Sequence, residues 1–239
     1  ERVRELDVRR FDEVRALVAS IAPDVIVNAV GVLNRNAEDD PLDAYLVNGL
    51  LPHWLAHLGD RCGARLIHIS SDCVFEGTRG GYAEDDRPDG RTVYARTKAL
   101  GEVCERPGHV TIRTSIVGPD AKPHGIGLLQ WFLAQRGTVS GYVNVRWNGV
   151  TTLELARAVE WHMRRPDIGG LVHLIAPEIV SKHDLLQRMR LAFDHNEVDI
   201  VPSEEPVIDR TLVVTREGDR YVPPSYDRML EELGRWMRS

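Results

Sequence analysis

Short apolar runs alternate with stretches of helical periodicity along the chain, and the alternation predicts strands and helices in turn. Asp24 to Val30 holds a continuous apolar run, the pattern of a strand covered on both faces. Pro41 to Leu58 reads as a helix with its proline near the start. Arg65 to Ser70 is a second strand, and a Gly- and Asp-rich loop from Glu76 to Gly90 follows it. A helix around Tyr94 to Lys98 comes next, then a strand at Val110 to Thr114 and a loop from Gly118 to Gly127. Leu128 to Gln135 forms an apolar helix carrying Trp131 and Phe132. Thr152 is placed to cap a helix running to about Arg164, and Leu171 to Ile175 is the last strand of parallel type. Beyond it Ser181 and Ser225 each open a helix, with an irregular acidic stretch between them. Strands alternating with helices predict an α/β fold, a doubly wound parallel sheet followed by a small C-terminal subdomain.

Composition narrows the picture by exclusion. The 239 residues suit one large domain or a domain with a small appendage. A net charge of -6 with no Lys/Arg block argues against nucleic-acid binding. No apolar run is long enough to cross a membrane and no signal-peptide pattern opens the sequence, so no membrane partner is expected and the expected compartment is the cytoplasm. Cys62, Cys73 and Cys104 are odd in number and lack CxxC spacing, which indicates neither a disulfide framework nor a zinc site. His53 and His57 form HxxxH on a helix without a third ligand nearby, so they read as surface or interface histidines and no metal is expected.

The candidate chemistry lies at Ser71 and at Tyr94-Ala95-Arg96-Thr97-Lys98. YxxxK spacing puts the Tyr94 phenol and the Lys98 ammonium one helical turn apart on one face. A phenol is a poor acid and base at neutral pH, and an adjacent ammonium lowers its pKa toward the working range. The strand Arg65-Leu66-Ile67-His68-Ile69 runs straight into Ser70-Ser71-Asp72. A hydroxyl from that strand end can hold a carbonyl or alcohol oxygen, completing an acid/base site for hydride chemistry. Ser70 reads as a structural hydroxyl, Asp72 as a brace for the loop, and Asn48 as a tie between helix and loop.

Several stretches resemble the extended short-chain dehydrogenase/reductases, and within them the dTDP-4-dehydrorhamnose reductase group. They are Leu6-Asp7-Val8, Pro23-Asp24-Val25-Ile26-Val27-Asn28-Ala29, His68-Ile69-Ser70-Ser71-Asp72-Cys73-Val74-Phe75-Glu76-Gly77, Tyr94 to Lys98, Ile112-Arg113-Thr114-Ser115, Thr151-Thr152-Leu153-Glu154-Leu155-Ala156 and Asp209-Arg210-Thr211-Leu212. The resemblance implies a Rossmann-like fold, NADP(H) or NAD(H) as cofactor, and a nucleotide-linked 4-keto-6-deoxy sugar as substrate, reduced at C4 during cell-surface polysaccharide synthesis. By the same resemblance Tyr94 is the general acid, Lys98 lowers its pKa and binds the nicotinamide ribose, and Ser71 holds the ketone oxygen. Asp7 and Val8 would meet the adenine edge. Asn28, Ala29 and Val30 would lie against the ribose, and Thr114 and Ser115 would line the nicotinamide. Substrate contacts fall to Ser71, Asp72, Ile116 and Arg210; the guanidinium of Arg210 suits a bidentate phosphate contact and equally a solvated or structural role. Cys73 and Ile116 stand where relatives commonly carry aromatics.

The same resemblance predicts residues 1–119 and 145–176 as the NAD(P)-binding part and 120–144 and 177–239 as the substrate-binding part. The glycine-rich GxxGxxG turn of the family does not precede Asp7, and Gly125-Ile126-Gly127 lacks the third glycine and does not follow a strand. The expectation is therefore an N-terminally incomplete sheet that binds a dinucleotide poorly, with strand 24–30 at its edge. The partners expected are the sugar nucleotide and, as an option, a second copy of the chain in a homodimer. The alternatives are a non-catalytic regulatory or truncated member of the same group, and a sugar-nucleotide epimerase.

Overall fold

The computed structural model describes residues 5–120 and 127–239; the Gly125-Ile126 pair lies outside the described residues. In chain order the elements are α1 (Phe11–Ile21), β1 (Val25–Asn28), α2 (Asn34–Asp39), α3 (Pro41–Ala44), α4 (Leu51–Cys62) and β2 (Arg65–Ile69). Then come α5 (Val93–Leu100), β3 (Val110–Arg113), β4 (Ile116–Val117), α6 (Leu128–Leu133), β5 (Gly137–Tyr142), β6 (Val145–Trp147) and β7 (Val150–Thr151). Last are α7 (Thr152–Met163), β8 (Gly170–His173), β9 (Val180–Ser181), α8 (Lys182–Ala192), β10 (Val198–Ser203), β11 (Ile208–Asp209) and α9 (Tyr226–Arg238). The chain divides into two compact units.

The first unit runs to Glu76 and takes in Arg87–Arg113 and His162–Val172. Its sheet has the order β1-β2-β3-β8. β2 pairs in parallel with β1, setting Asn28 beside His68, and with β3, setting Ile69 beside Ile112. Leu51, Leu55, Leu58, Leu66, Val14 and Val103 make the core. β1 lies at the end of the sheet order and Val27 is 45 % exposed, so its apolar run is not covered on both faces. Arg65 is buried at the start of β2, where its guanidinium donates to the carbonyls of Gly108 (2.8 Å), Arg165 (2.9 Å), His162 and Ile168. The fork adds a second donor to carbonyls that already accept from the backbone, His162 from Arg165 N and Arg165 from Ile168 N, each at 3.1 Å.

The helix expected over 41–58 is helical throughout but passes through a π-helical turn at Tyr45–Leu50. Pro52 in the first turn of α4 has no N–H, so the Asn48 carbonyl receives no i→i+4 bond from it. That carbonyl instead faces Gly101 just past α5, where a Cβ would come within 1.9 Å of it; only glycine permits this approach.

The second unit comprises Gly77–Asp86, Thr114–Trp161 and His173–Ser239. β10 pairs in parallel with β5 over Val198↔Gly137 to Ser203↔Tyr142. β6 lies between β11 and β9, and β4 pairs with β7. Trp147 stacks on Tyr226 at 5.6 Å, and the Tyr226 hydroxyl donates to the Gly149 carbonyl at 3.0 Å. α8 opens on a capping box in which Ser181 and Asp184 bond each other's backbone, as its sequence suggests. Two expectations need correcting here. The cap of α7 is Thr151, whose Oγ1 accepts from Glu154 N at 3.2 Å, and Thr152 is the first helical residue. The stretch before α9 is not wholly irregular either, since β10 buries Val198 and Ile200 on one face and exposes the residues between.

Among the described residues no helix is long and apolar enough to cross a membrane. Among them, too, no group of three or more His, Cys, Asp and Glu side chains converges to hold a metal ion. His53 donates to the Leu100 carbonyl at 2.7 Å and His57 stacks on Trp54.

Candidate active site

The first unit gathers Ser71, Tyr94 and Lys98. β2 delivers Ser71 to the point where the chain leaves the sheet for a 3-10 turn at Asp72–Val74, and Ser71 caps that turn. Its Oγ accepts from Cys73 N at 3.1 Å and donates to Asp72 Oδ1 at 3.2 Å, so Asp72 braces the serine. Thr92 caps α5, accepting from Ala95 N, and fixes the start of the helix that carries Tyr94 and Lys98. Between those two residues Thr97 is fully buried and bonded to Asn48 Nδ2 at 3.1 Å. Asn48 also joins Val32 through both backbone groups, at 2.8 and 2.9 Å. α5 is thereby held from behind by a polar clamp.

Lys98 is only 4 % exposed. Its ammonium donates to the Ile69 carbonyl at 2.6 Å. Burial pulls its pKa down to about 8, against the opposing pull of the Glu102 carboxylate. Tyr94 moves the other way. Burial pushes its phenol above the usual range, the neighbouring Cys73 and Asp72 add to that, and a hydrogen bond with Ser71 opposes it. Burial therefore sets the Tyr94 phenol, and the Lys98 charge is directed at the end of β2 instead of at the ring. The phenol is protonated at every ordinary pH, as a proton donor must be.

Asn28 is buried at the end of β1; its Oδ1 accepts from Val30 N at 3.3 Å, which orients the amide so that Nδ2 donates to His68 Nδ1 at 3.1 Å. The His68 ring proton thus sits on Nε2. Burial, followed by the Lys98 charge, holds the His68 pKa well below 6.5, so the ring is neutral. Ala29 and Val30 are exposed beyond the strand end. Val8 packs on the core. The Asp7 carboxylate is engaged by Arg9, whose Nε and Nη2 reach its two oxygens at 2.9 and 2.7 Å. Arg9 also bonds Asp43 at 2.5 Å, and it draws the Asp7 pKa down to about 2. A ligand meeting Asp7 has first to displace Arg9.

The remaining candidates belong to the second unit. Thr114 is buried, its hydroxyl donating to the Leu174 carbonyl at 2.7 Å. The Ser115 carbonyl accepts from Val150 N at 2.8 Å. Ile116 is 48 % exposed. Arg210 is half-buried, and a Cβ on Gly77 would come within 2.7 Å of its Cγ, so its stem packs on that glycine.

Sequence reasoning passed over a buried set beside Lys98. Ser70 Oγ donates to Glu102 Oε1 at 2.7 Å, and Arg113 grips the same carboxylate with Nε at 2.8 Å and Nη2 at 2.7 Å. Ser70 is therefore committed to structure. The available signal was Glu102, four residues beyond Lys98, and an arginine at the end of an apolar strand.

The RmlD substrate binding domain family matches residues 2–209. The dTDP-4-dehydrorhamnose reductase of Salmonella typhimurium is 31% identical over 177 residues, which cover 70% of this chain and 59% of that protein. The Escherichia coli protein of the same name is 32% identical over 190 residues, 74% of this chain and 62% of that one. The chain thus spans about three fifths of the length of these curated relatives. Among solved structures, a dTDP-4-dehydrorhamnose reductase from Bacillus anthracis in complex with NADP superposes with a TM-score of 0.81 at 19% identity, covering 98% of this chain and 87% of that one. That likeness shows the fold, a Rossmann-like α/β arrangement with parallel sheets.

Proposed function

From the premise that the chain belongs to the RmlD substrate-binding family, of the dTDP-4-dehydrorhamnose reductase-like group, we propose that it is a reductase of a nucleotide-linked 4-keto-6-deoxy sugar that uses NADPH or NADH. The observation that carries the reading is the set of buried Ser71 and Lys98 with half-buried Tyr94, at the exit of β2 and on α5. A relative named for this reduction is 32% identical, and a solved neighbour is described in complex with NADP.

The residues fit a nicotinamide cofactor at one end. Lys98 spends one of its three donors on Ile69 and has two left for ribose hydroxyls. Asn28 and the exposed Ala29 and Val30 supply a strand end of the kind that meets nucleotides in such sheets. At the other end Arg9 occupies Asp7. When bound, the cofactor supplies the hydride. Ser71 turns its single O–H from Asp72 Oδ1 to the ketone oxygen and holds it in a hydrogen bond, and Tyr94 gives its phenolic proton to that oxygen as negative charge develops there. The raised pKa of Tyr94 keeps the proton in place until the oxygen becomes the stronger base. The Lys98 ammonium, one helical turn away, stabilises the phenolate left behind by turning toward it from the Ile69 carbonyl. The second unit, with Ile116 and Arg210, is the substrate-binding part, and the product serves synthesis of a surface polysaccharide. The non-catalytic alternative has one observation in its favour, the closure of Asp7 by Arg9.

Fluorescence titration of the chain with NADPH and with NADH tests the reading. Micromolar binding of either supports it, and turnover assays on dTDP-linked 4-keto sugars follow. Folded chain that binds neither dinucleotide contradicts it.

A further inference from the structure

β1 and β2 run in parallel with Asn28 set beside His68, and both side chains are buried, at 2 % and 0 % exposure. Two polar groups thus meet inside a sheet whose neighbouring positions are apolar. They satisfy each other at one point: Asn28 Nδ2 donates to His68 Nδ1 at 3.1 Å. With Nδ1 accepting, the neutral ring carries its proton on Nε2, and that buried N–H has no hydrogen-bond partner among the described residues. A buried donor left unpaired costs free energy that an apolar ring of similar size does not. As packing, then, the histidine is a poor choice. What it offers in return is the Nδ1 lone pair.

That lone pair acts on the carboxamide. An asparagine side chain fits its site either way round, the oxygen and the NH2 changing places by a half-turn. Facing an acceptor, Asn28 has to present its NH2 to His68, which leaves Oδ1 to accept from Val30 N at 3.3 Å. β1 ends at Asn28, so this bond spans the first two residues of the chain as it leaves the sheet, and Val30 is 44 % exposed there. A ring with its proton on Nδ1 would call for the opposite orientation and turn the NH2 toward the Val30 N–H, donor against donor. We propose that His68 is a positioning residue for the exit of β1: its Nδ1 decides which way round the Asn28 carboxamide sits, and the carboxamide holds Val30. Under the reductase reading, the segment held in this way, Asn28-Ala29-Val30, is the one offered to the cofactor.

Only that consequence rests on the reductase reading; both links, from His68 to Asn28 and from Asn28 to Val30, are open to nitrogen-15 NMR without cofactor or substrate. The chain has nine histidines, and the ring signals absent from His68→Phe assign those of His68. In the parent, Nδ1 is expected bare and Nε2 protonated. Asn28→Asp replaces the donor with a carboxylate that only accepts, so Nδ1 is expected to take up a proton, whether moved from Nε2 or added to the ring. A role in packing alone would not move that proton. His68→Phe fills the space and removes the acceptor. Its Val30 amide is expected to exchange about two- to ten-fold faster relative to the amides within β1, the worth of one hydrogen bond. Bare Nδ1 in a folded Asn28→Asp chain overturns the proposal, and so does a Val30 amide as protected in His68→Phe as in the parent. If the buried carboxylate prevents folding, the Phe variant decides alone. Under the reductase reading His68→Phe also weakens NADPH binding by about the same factor. A parent chain that does not bind NADPH sinks that reading and leaves the ring and exchange results to decide this one.

Discussion

Removing the Asn48 carboxamide should loosen the helix that carries Tyr94 and Lys98, and the structure fixes by how much. Asn48 is fully buried and makes three hydrogen bonds, two to the backbone of Val32 and one to Thr97. Thr97 Oγ1 keeps its own bonds to the carbonyls of Val93 and Tyr94, so its share of the loss is small. Val32 is half-buried, and each of its two backbone groups left unpaired costs roughly 1 kcal/mol. With the cavity left by the amide, Asn48→Ala is expected to cost about 2–3 kcal/mol. Asn48→Asp keeps the shape and the acceptor for Val32 N but turns a carboxylate on the Val32 carbonyl, which should cost about 3–5 kcal/mol. Urea unfolding reads both: with a slope of about 2 kcal/mol/M, the alanine midpoint drops by about 1 M and the aspartate midpoint further. Hydrogen exchange of the α5 amides should quicken in the same order. Either variant within about 0.5 kcal/mol of the parent, or Asp as mild as Ala, refutes the clamp.

Lys98→Met should stabilise the chain at neutral pH while removing function, by up to about 3 kcal/mol. The lowered pKa, 10.5 to about 8, means the buried charge opposes folding. The sign follows from proton binding. Below pH 8 both states carry the proton and the penalty is complete; between about 8 and 10.5 only the unfolded state keeps it, so parent stability rises with pH and the gap to Lys98→Met closes. Equal stability of the two proteins at pH 7 would refute this. Arg65→Lys should cost about 2–4 kcal/mol in the same urea assay, because an ammonium cannot span the four carbonyls that the guanidinium reaches; a loss under about 1 kcal/mol would mean that water replaces the fork. Arg9→Ala should tighten NADPH binding by about two- to five-fold if Asp7 meets the cofactor, the worth of an exposed ion pair, and weaker or unchanged binding removes Asp7 from that role.

Much of the first unit could be read from the chain because its signals are local. The apolar run of β2 ends at Ser71 and YxxxK sets two side chains on one helix face; in the second unit Ser181 is an ordinary cap. What escaped notice depends on partners distant in sequence. The π-helical turn follows from Pro52 and from the room that Gly101 leaves for the Asn48 carbonyl. β10 shows its alternation only once β5 is beside it, and its acidic surroundings made it look like loop. Thr151 and Thr152 are adjacent candidates for one cap, and spacing alone does not choose between them. Glu102 and Arg113 look like solvated charges until the fold buries each against the other. Arg9 likewise gains its meaning only from Asp7 and Asp43. Spacing predicted a charge from Lys98 on the Tyr94 ring, whereas the Ile69 carbonyl draws the ammonium away.

The central claim is that Tyr94 donates the proton in a ketone reduction. NADPH oxidation by the parent chain and by Tyr94→Phe, followed by absorbance with a dTDP-linked 4-keto-6-deoxy sugar, tests it most directly. The account predicts turnover by the parent and a fall of about 10²- to 10⁴-fold in kcat for the variant, with NADPH binding retained. A Phe variant that turns over as fast as the parent, or a parent that binds NADPH and never oxidises it with any such sugar, would contradict it.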